Sequence, residues 1–217
     1  MPRDRRAQPR VGGSLVSHLT GAISGNAIAR RASFLLGKED EPIFASGISI
    51  HDDPLRRRGL SSRPFDGEGL ATGPRALVKD GRLTGWLMDS AAARQLGSAP
   101  TGHAVRGAGG SPGVGTSNVH LSASSLSVAE LIADIAEGVF VTELIGHGVN
   151  GVTGDYSRGA SGFRIVKGEL AGPVAEFTVA GNLLDMYRQL SAANDLEWHR
   201  PVNVPTIRVD GMTVAGD

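Results

Sequence analysis

Six histidines, together with Asp155, Glu143 and Ser161, are the residues on which this chain could build chemistry. His18, His51, His103, His120, His147 and His199 stand no closer than 17 residues apart, so no two of them can share a turn of helix as a local two-histidine zinc motif requires. A metal site would have to be gathered from distant positions such as His103, His120, His147 and Asp155. Ser161, in Gly-Ala-Ser-Gly-Phe, lacks the Gly-x-Ser-x-Gly setting of a nucleophile elbow, and no acid or histidine stands beside it in sequence. There is no cysteine. Disulfides, thiolate metal sites and a cysteine nucleophile are thereby excluded, and the composition suits a reducing cytoplasm.

Gly146, Gly148 and Gly151 spell Gly-x-Gly-x-x-Gly after the strand-like run Val139 to Ile145. A dinucleotide fingerprint needs a helix next, because the helix N-terminus supplies the amides that hold the pyrophosphate. Val152 to Gly162 carries three more glycines and opens with β-branched residues, so no helix can start there. The loop reads instead as a shaped turn, in which Asn150, Thr153, Asp155 and Ser157 bond their own backbone. In Ile50 to Leu60, two aspartates and three arginines surround Pro54 and read as a solvated, self-neutralising turn. Asp66 and Glu68 read as carboxylates on a surface loop.

The elements that must position these residues are mostly strands. Thirty-one glycines against two Trp, two Tyr and six Phe favour tight turns and short strands over long helical packing. Asp80-Gly81, Lys167-Gly168 and Asp210-Gly211 each separate apolar runs and predict three hairpins, hence antiparallel sheet. Helices are predicted from Ser127 to Gly138, with a Ser127/Glu130 capping box; from Asn182 to Asn194, with Asn182 as N-cap; from Ser90 to Leu96, closed by Gly97; and from Ser14 to about Arg30, weakened by Gly21 and Gly25. Residues 97 to 120 read as one long loop without regular structure. The expected fold is α+β: a mainly antiparallel, barrel-like β core carrying several hairpins, with three or four short helices packed on it.

Lys+Arg and Asp+Glu both number 22, so no global basic field points to nucleic acid or anionic lipid. No 18-residue apolar run suggests a membrane span, and no signal peptide is seen. The expected organisation is a flexible basic N-terminus over 1–10, a central β-rich region over 11–120 and a C-terminal region over 121–217, the last two forming one continuous unit.

Several long segments carry more information than any of these patterns. GAISGNAIARRASFLLG, ISIHDDPLRRRGLSSRPFDGEG, KDGRLTGWLMDSAAARQLG, GVNGVTGDYSRGASGF, GELAGPVAEFTVAGNLLDMY and VPTIRVDGMTVAGD occur in this order. Together they resemble the TldE/PmbA branch of the TldD/PmbA family, historically called modulators of DNA gyrase. The resemblance covers residues from about 11 to 217 and corresponds to the C-terminal half of family members, which usually carry a preceding α/β domain. It implies a cytoplasmic metallopeptidase family that acts on peptides or unfolded proteins, in which a zinc-bearing TldD-type subunit pairs with a TldE-type subunit.

In the TldD branch a helix carries His-Glu-x-x-x-His, with a cysteine further along completing the zinc ligands. In LVSHLTGAISGNAIAR the matching positions are Ser17, His18 and Ala22. The resemblance therefore implies a chain without zinc or catalytic residues of its own, inactive alone, that completes the substrate cleft of a TldD-like partner. His147, Asn150, Thr153, Asp155, Ser157 and Arg158 are the expected cleft and loop residues, and His103, Arg106 and His120 the expected partner or peptide contacts. Two other readings stay open: a stand-alone metal-dependent or serine hydrolase with dispersed ligands, and a structural subunit of a homo-oligomer.

Overall fold

The computed structural model describes residues 9–107, 109–110 and 112–216, so most of the basic N-terminal stretch lies outside the described residues. In chain order the elements are α1 (Pro9–Ala22), α2 (Gly25–Ala29), β1 (Ile50–Asp52), β2 (Arg75–Lys79), β3 (Arg82–Leu83), α3 (Ser90–Leu96), β4 (Ala104–Val105), β5 (Gly113–Val114) and β6 (Val119–Leu121). They continue with α4 (Val128–Ile132), β7 (Glu137–Ile145), β8 (Asp155–Val166), β9 (Glu169–Asn182), α5 (Leu183–Arg188), β10 (Leu190–Ala192), β11 (Val202–Asn203), β12 (Ile207–Val209) and β13 (Thr213–Ala215).

The α+β expectation holds, but among the described residues the sheets are open and no barrel closes. One sheet has five strands in the order β11-β6-β1-β2-β3, and another has four in the order β13-β9-β8-β7. Every pairing is antiparallel except β11 with β6. The main apolar cluster runs from Leu15, Val16 and Leu19 on α1 through Ile50, Leu77 and Leu121 to Phe177, Leu183, Tyr187 and Val204, with smaller clusters around Ala92 and Ala93 of α3 and around Ile132 of α4 with Phe140 and Ile165. Tyr187 is fully buried, stacks on Phe44 at 4.3 Å and donates its hydroxyl to the Leu15 carbonyl at 2.9 Å.

Two of the three predicted hairpins are present. Asp80 and Gly81 have φ of 47° and 78°, and Lys167 and Gly168 have 51° and 78°, the left-handed pairs that a type I′ turn demands. The third is not a hairpin: past Asp210-Gly211 the chain leaves β12, which pairs with β10, and enters β13, which pairs with β9. Local turn chemistry cannot tell a chain reversal from a change of sheet.

The predicted helix over 127–138 starts where expected, with both halves of its capping box formed, yet stops after Ile132. Sheet pairing takes over, since Glu137 and Gly138 are registered against Val166 and Ile165, and the turn amides of Lys167 and Gly168 bond the Ala136 and Ile135 carbonyls. Likewise Asn182 caps α5 as expected, but Leu190 already belongs to β10. The 14–30 helix is two helices. The break carries Ser24, which bridges to Leu87, and Gly25 lets α2 approach α3 so closely that a β-carbon would strike the Met88 sulfur and Ala92. Segment 97–120 is not irregular throughout: it contains the β4–β5 pair and β6, a central strand of the five-stranded sheet.

Candidate functional site

Helix α1 presents three surfaces. Leu15, Val16, Leu19 and Ala22 face the core; Ser17 and Gly21, one turn apart, are exposed; His18 lies between them, half-buried. The positions matching the zinc motif are therefore dispersed: Ser17 points outward and donates to the Gly13 carbonyl at 2.9 Å, while Ala22 is packed inside. His18 sits edge-on to Tyr156 of β8, ring centroids 6.2 Å apart, and its Nε2 is removed from water with no hydrogen-bond partner. Burial, helped by the positive charge of Arg158, holds this imidazole below the usual histidine range. Arg158, two residues beyond Tyr156 on β8, also donates its Nε to the Ile145 carbonyl at 3.2 Å. The fold thus joins one cleft residue, Arg158, to one motif position, His18.

A cavity of about 310 Å³ opens along the outer surface of α1. Ser17, Thr20, Gly21 and Ser24 form one wall, Ala27 and Arg30 of the α2 region another, and Leu87 with Val114, Gly115 and Thr116 the third. The segment expected to make contacts, 97–120, does border this cavity, but through the base of β5 rather than through the residues singled out. His103 is buried, bonded through Nδ1 to the Thr101 hydroxyl at 2.8 Å and facing the Asp52 carboxylate at 3.4 Å, so it cannot serve as a surface contact. Arg106 is exposed beside β4. His120 lies on β6 opposite His51, stacked at 5.2 Å, and beneath Trp198 at 4.7 Å, with the Arg56 guanidinium 3.2 Å from the Trp198 ring centre. Burial first, then the charges of His51 and Arg56, hold His120 below the usual range.

The remaining cleft residues lie in or beside the loop joining β7 to β8. The Asn150 side chain accepts from the Val152 and Thr153 amides, and the Thr153 hydroxyl donates to Asp155 at 2.6 Å. The Asn182 amide donates to the Thr153 carbonyl at 2.9 Å, and the Phe34 amide to that of Gly151 at 2.9 Å. Asn150, Thr153 and Asp155 thus shape the loop as the sequence implied. Ser157 joins only through its amide, bonded to the Gly148 carbonyl, and both Asp155 and Ser157 already belong to β8. His147 is exposed. Among the described residues no three His, Asp or Glu side chains come together as a metal would need, so the dispersed ligand set His103, His120, His147 and Asp155 is not assembled.

Sequence reasoning missed several features. Asp52, assigned to a solvated turn, is fully buried on β1 and accepts from the Ser117 amide with both oxygens at 3.0 Å. Asp66 is buried too; burial raises its carboxyl, but the amides of Glu68, Leu70 and Ala104 and the charge of Arg63 outweigh it and hold the group below its ordinary value. The alternation Ile50-His51-Asp52 was the available signal for the strand, since it would have put Asp52 on the face of Ile50. Arg30, Ser24 and Thr116 were also missed as cavity residues, although Gly21 inside a helix was a clue to an open face.

Comparison with known proteins fits this geometry. Residues 7–216 match the family model for the PmbA/TldA metallopeptidase C-terminal domain. Metalloprotease PmbA of Escherichia coli O157:H7 is 40% identical over 207 residues, covering 95% of this chain and 44% of that protein, and the PmbA homologue of Haemophilus influenzae is 38% identical over 210 residues with the same coverages. The chain therefore spans less than half the length of these relatives. Among solved structures, a protein described as a modulator of DNA gyrase from Bacteroides thetaiotaomicron superposes with a TM-score of 0.86 at 30% identity, over 96% of this chain and 46% of that one. TldE from Thermococcus kodakarensis does so at 0.84 and 27%, over 94% and 48%. On the extent of the model match and the identity to PmbA, this chain belongs to the PmbA/TldD metallopeptidase family, to its C-terminal domain.

Proposed function

We propose that this chain is the C-terminal domain of a TldE-type, non-catalytic subunit that pairs with a zinc-bearing TldD-like subunit and forms part of a cleft for peptides or unfolded protein. The observation that carries this reading is the chemistry of α1. Zinc needs several side-chain donors converging on one point, and here the matching positions supply an outward hydroxyl already bonded to its own helix, a half-buried imidazole under the charge of Arg158, and a methyl group in the core. These residues do not fit a zinc ion, so zinc and the water it activates are assigned to the partner, and no hydrolytic step is assigned to this chain. Structural likeness to TldE and the borders of the α1 cavity support a role in substrate binding. The proposal places the complex in the cytoplasm.

The test is to co-express the tagged chain with the TldD-like protein of the same cell, purify both, and measure zinc and peptide cleavage for each alone and together. Co-purification, zinc on the partner only, and cleavage only by the partner or the mixture are expected. Stoichiometric zinc on this chain with peptide cleavage in isolation would overturn the proposal, as would a chain that forms only homo-oligomers and never binds the partner.

A further inference from the structure

The α1 cavity has one charged wall. Among the described residues Arg30 is the only ionisable side chain lining it, no carboxylate pairs with its guanidinium, and its Nε is engaged by the Asn26 carbonyl at 3.1 Å. Ser24 and Thr116 line the same space, and neither hydroxyl has a partner among the described residues. Ser24 precedes α2 in the N-cap position yet makes no side-chain capping bond, so its hydroxyl is left available where serine ordinarily satisfies a backbone amide. Ser17 and Thr20 donate to carbonyls of their own helix, which leaves their oxygens able to accept. Leu87, Val114 and Ala27 add an apolar floor.

Gly21 completes the picture. Glycine inside a helix costs about 1 kcal/mol against alanine, and here close packing does not demand it, since a β-carbon at Gly21 would meet nothing within 4 Å. Gly25, four residues on, is different, because its β-carbon would collide with α3. The missing side chain at Gly21 therefore enlarges the cavity.

We propose that this cavity binds the carboxylate of a peptide, with the Arg30 guanidinium as its counter-charge, the Ser24 and Thr116 hydroxyls as hydrogen-bond donors, and Leu87 and Val114 against the adjoining aliphatic group. A guanidinium matches a carboxylate with paired N–H donors, and a wall of hydroxyls can serve peptide amides as donor or acceptor. This rests on the peptide-handling reading only for the identity of the ligand; the charge and shape of the cavity stand without a partner subunit.

The test uses the isolated chain and fluorescence anisotropy of a short N-terminally labelled peptide in three forms: free C-terminal acid, C-terminal amide, and amide with one internal aspartate. The free acid is expected to bind about tenfold more tightly than the plain amide, the gain of one charge-assisted contact. Arg30→Gln should abolish that preference, Gly21→Leu should fill the cavity and abolish binding of every form, and Arg57→Gln, on the exposed turn, should change nothing. Tight binding of the aspartate amide assigns the site to side-chain carboxylates as well as termini; its failure assigns it to termini. Circular dichroism with a thermal melt separates loss of binding from loss of fold. An acid preference that survives Arg30→Gln, binding that survives Gly21→Leu, or no binding of any form overturns the proposal. None of these readings depends on the partner, so a failure of pairing in the co-purification leaves this result separately interpretable.

Discussion

His103 and Asp52, 51 positions apart in sequence, meet inside the fold with Nε2 and Oδ2 at 3.4 Å, and the same carboxylate takes the Ser117 amide on both oxygens at 3.0 Å. The carboxylate thus faces the imidazole Nε2, while Nδ1 shares a hydrogen bond with the Thr101 hydroxyl at 2.8 Å. Asp52 thereby anchors both ends of segment 101–117 to strand β1. The segment that ends in the cavity wall Val114–Thr116 is held from behind by this acid at His103 and Ser117 and by buried Asp66 at the Ala104 amide.

Asp52→Ala should destabilise the fold by about 2 kcal/mol, because it orphans the buried Ser117 amide and removes the carboxylate that faces His103. The urea midpoint reads this directly. Asp52→Asn, which keeps an acceptor, should lose less, and limited proteolysis of Asp52→Ala should cut first within 101–117. An unchanged midpoint in Asp52→Ala would mean that segment is held otherwise.

Acid should weaken the protein through two histidines. His18 is held below its ordinary value chiefly by burial, then by Arg158; His120 chiefly by burial, then by His51 and Arg56, against opposing contributions from Asp53 and Asp52. In both cases the unfolded chain takes a proton more readily than the folded one. Stability from these groups is therefore present above the unfolded histidine value of about 6.5 and is lost as pH falls below it, until the folded values are passed. Urea midpoints from pH 8 to pH 5 should fall in the wild type. His18→Phe and His120→Phe should each flatten part of that fall, and a profile unaltered by both would place the acid sensitivity elsewhere.

Gly148 and Gly162, read first as turn formers, are needed for contact rather than for φ. A β-carbon on Gly148 would run into the carbonyl oxygen of Ser157, and one on Gly162 into that of Phe140. Backbone oxygens fixed in a sheet cannot step aside, so Gly148→Ala and Gly162→Ala should each cost about 2 kcal/mol or more. Gly151→Ala, whose β-carbon would meet nothing, should stay within about 0.5 kcal/mol of wild type. Denaturant titration of the three variants decides the matter, and equal losses at all three positions would contradict it.

What the sequence made legible was local and periodic. The Asp80-Gly81 and Lys167-Gly168 turns, the Ser127 capping box and the Asn182 and Gly97 caps are each set by a few neighbouring residues, and each is present. Where long-range pairing competes with local preference, local reading failed: Glu137 and Gly138, the end of the predicted helix, gave up helix for register with β8, and Asp210-Gly211 switches sheets. The same limit applies to the site. Loop bonds among Asn150, Thr153 and Asp155 span a few residues and could be foreseen, whereas the approach of Arg158 to His18 and the burial of His103 against Asp52 depend on which sheet lies beneath which helix.

Asn182 is where loop and helix become one unit. Its side-chain oxygen caps α5 by accepting the Leu184 amide at 3.1 Å, and its nitrogen donates to the Thr153 carbonyl and lies 3.4 Å from Asp155. The asparagine amide supplies an acceptor to the helix and a donor to the loop at once. Asn182→Ala should lose both, costing about 1 kcal/mol for the cap and a further loss for the loop. Asn182→Asp retains the cap acceptor beside a helix N-terminus, where negative charge is welcome, but removes the donor and sets a second carboxylate against Asp155. Hydrogen exchange separates the two roles: amides of 150–154 should lose protection in both variants, while Leu184 should stay protected only in Asn182→Asp. Loop protection retained in Asn182→Asp would show that the Phe34–Gly151 bond suffices to hold the loop, and that Asn182 serves the helix alone.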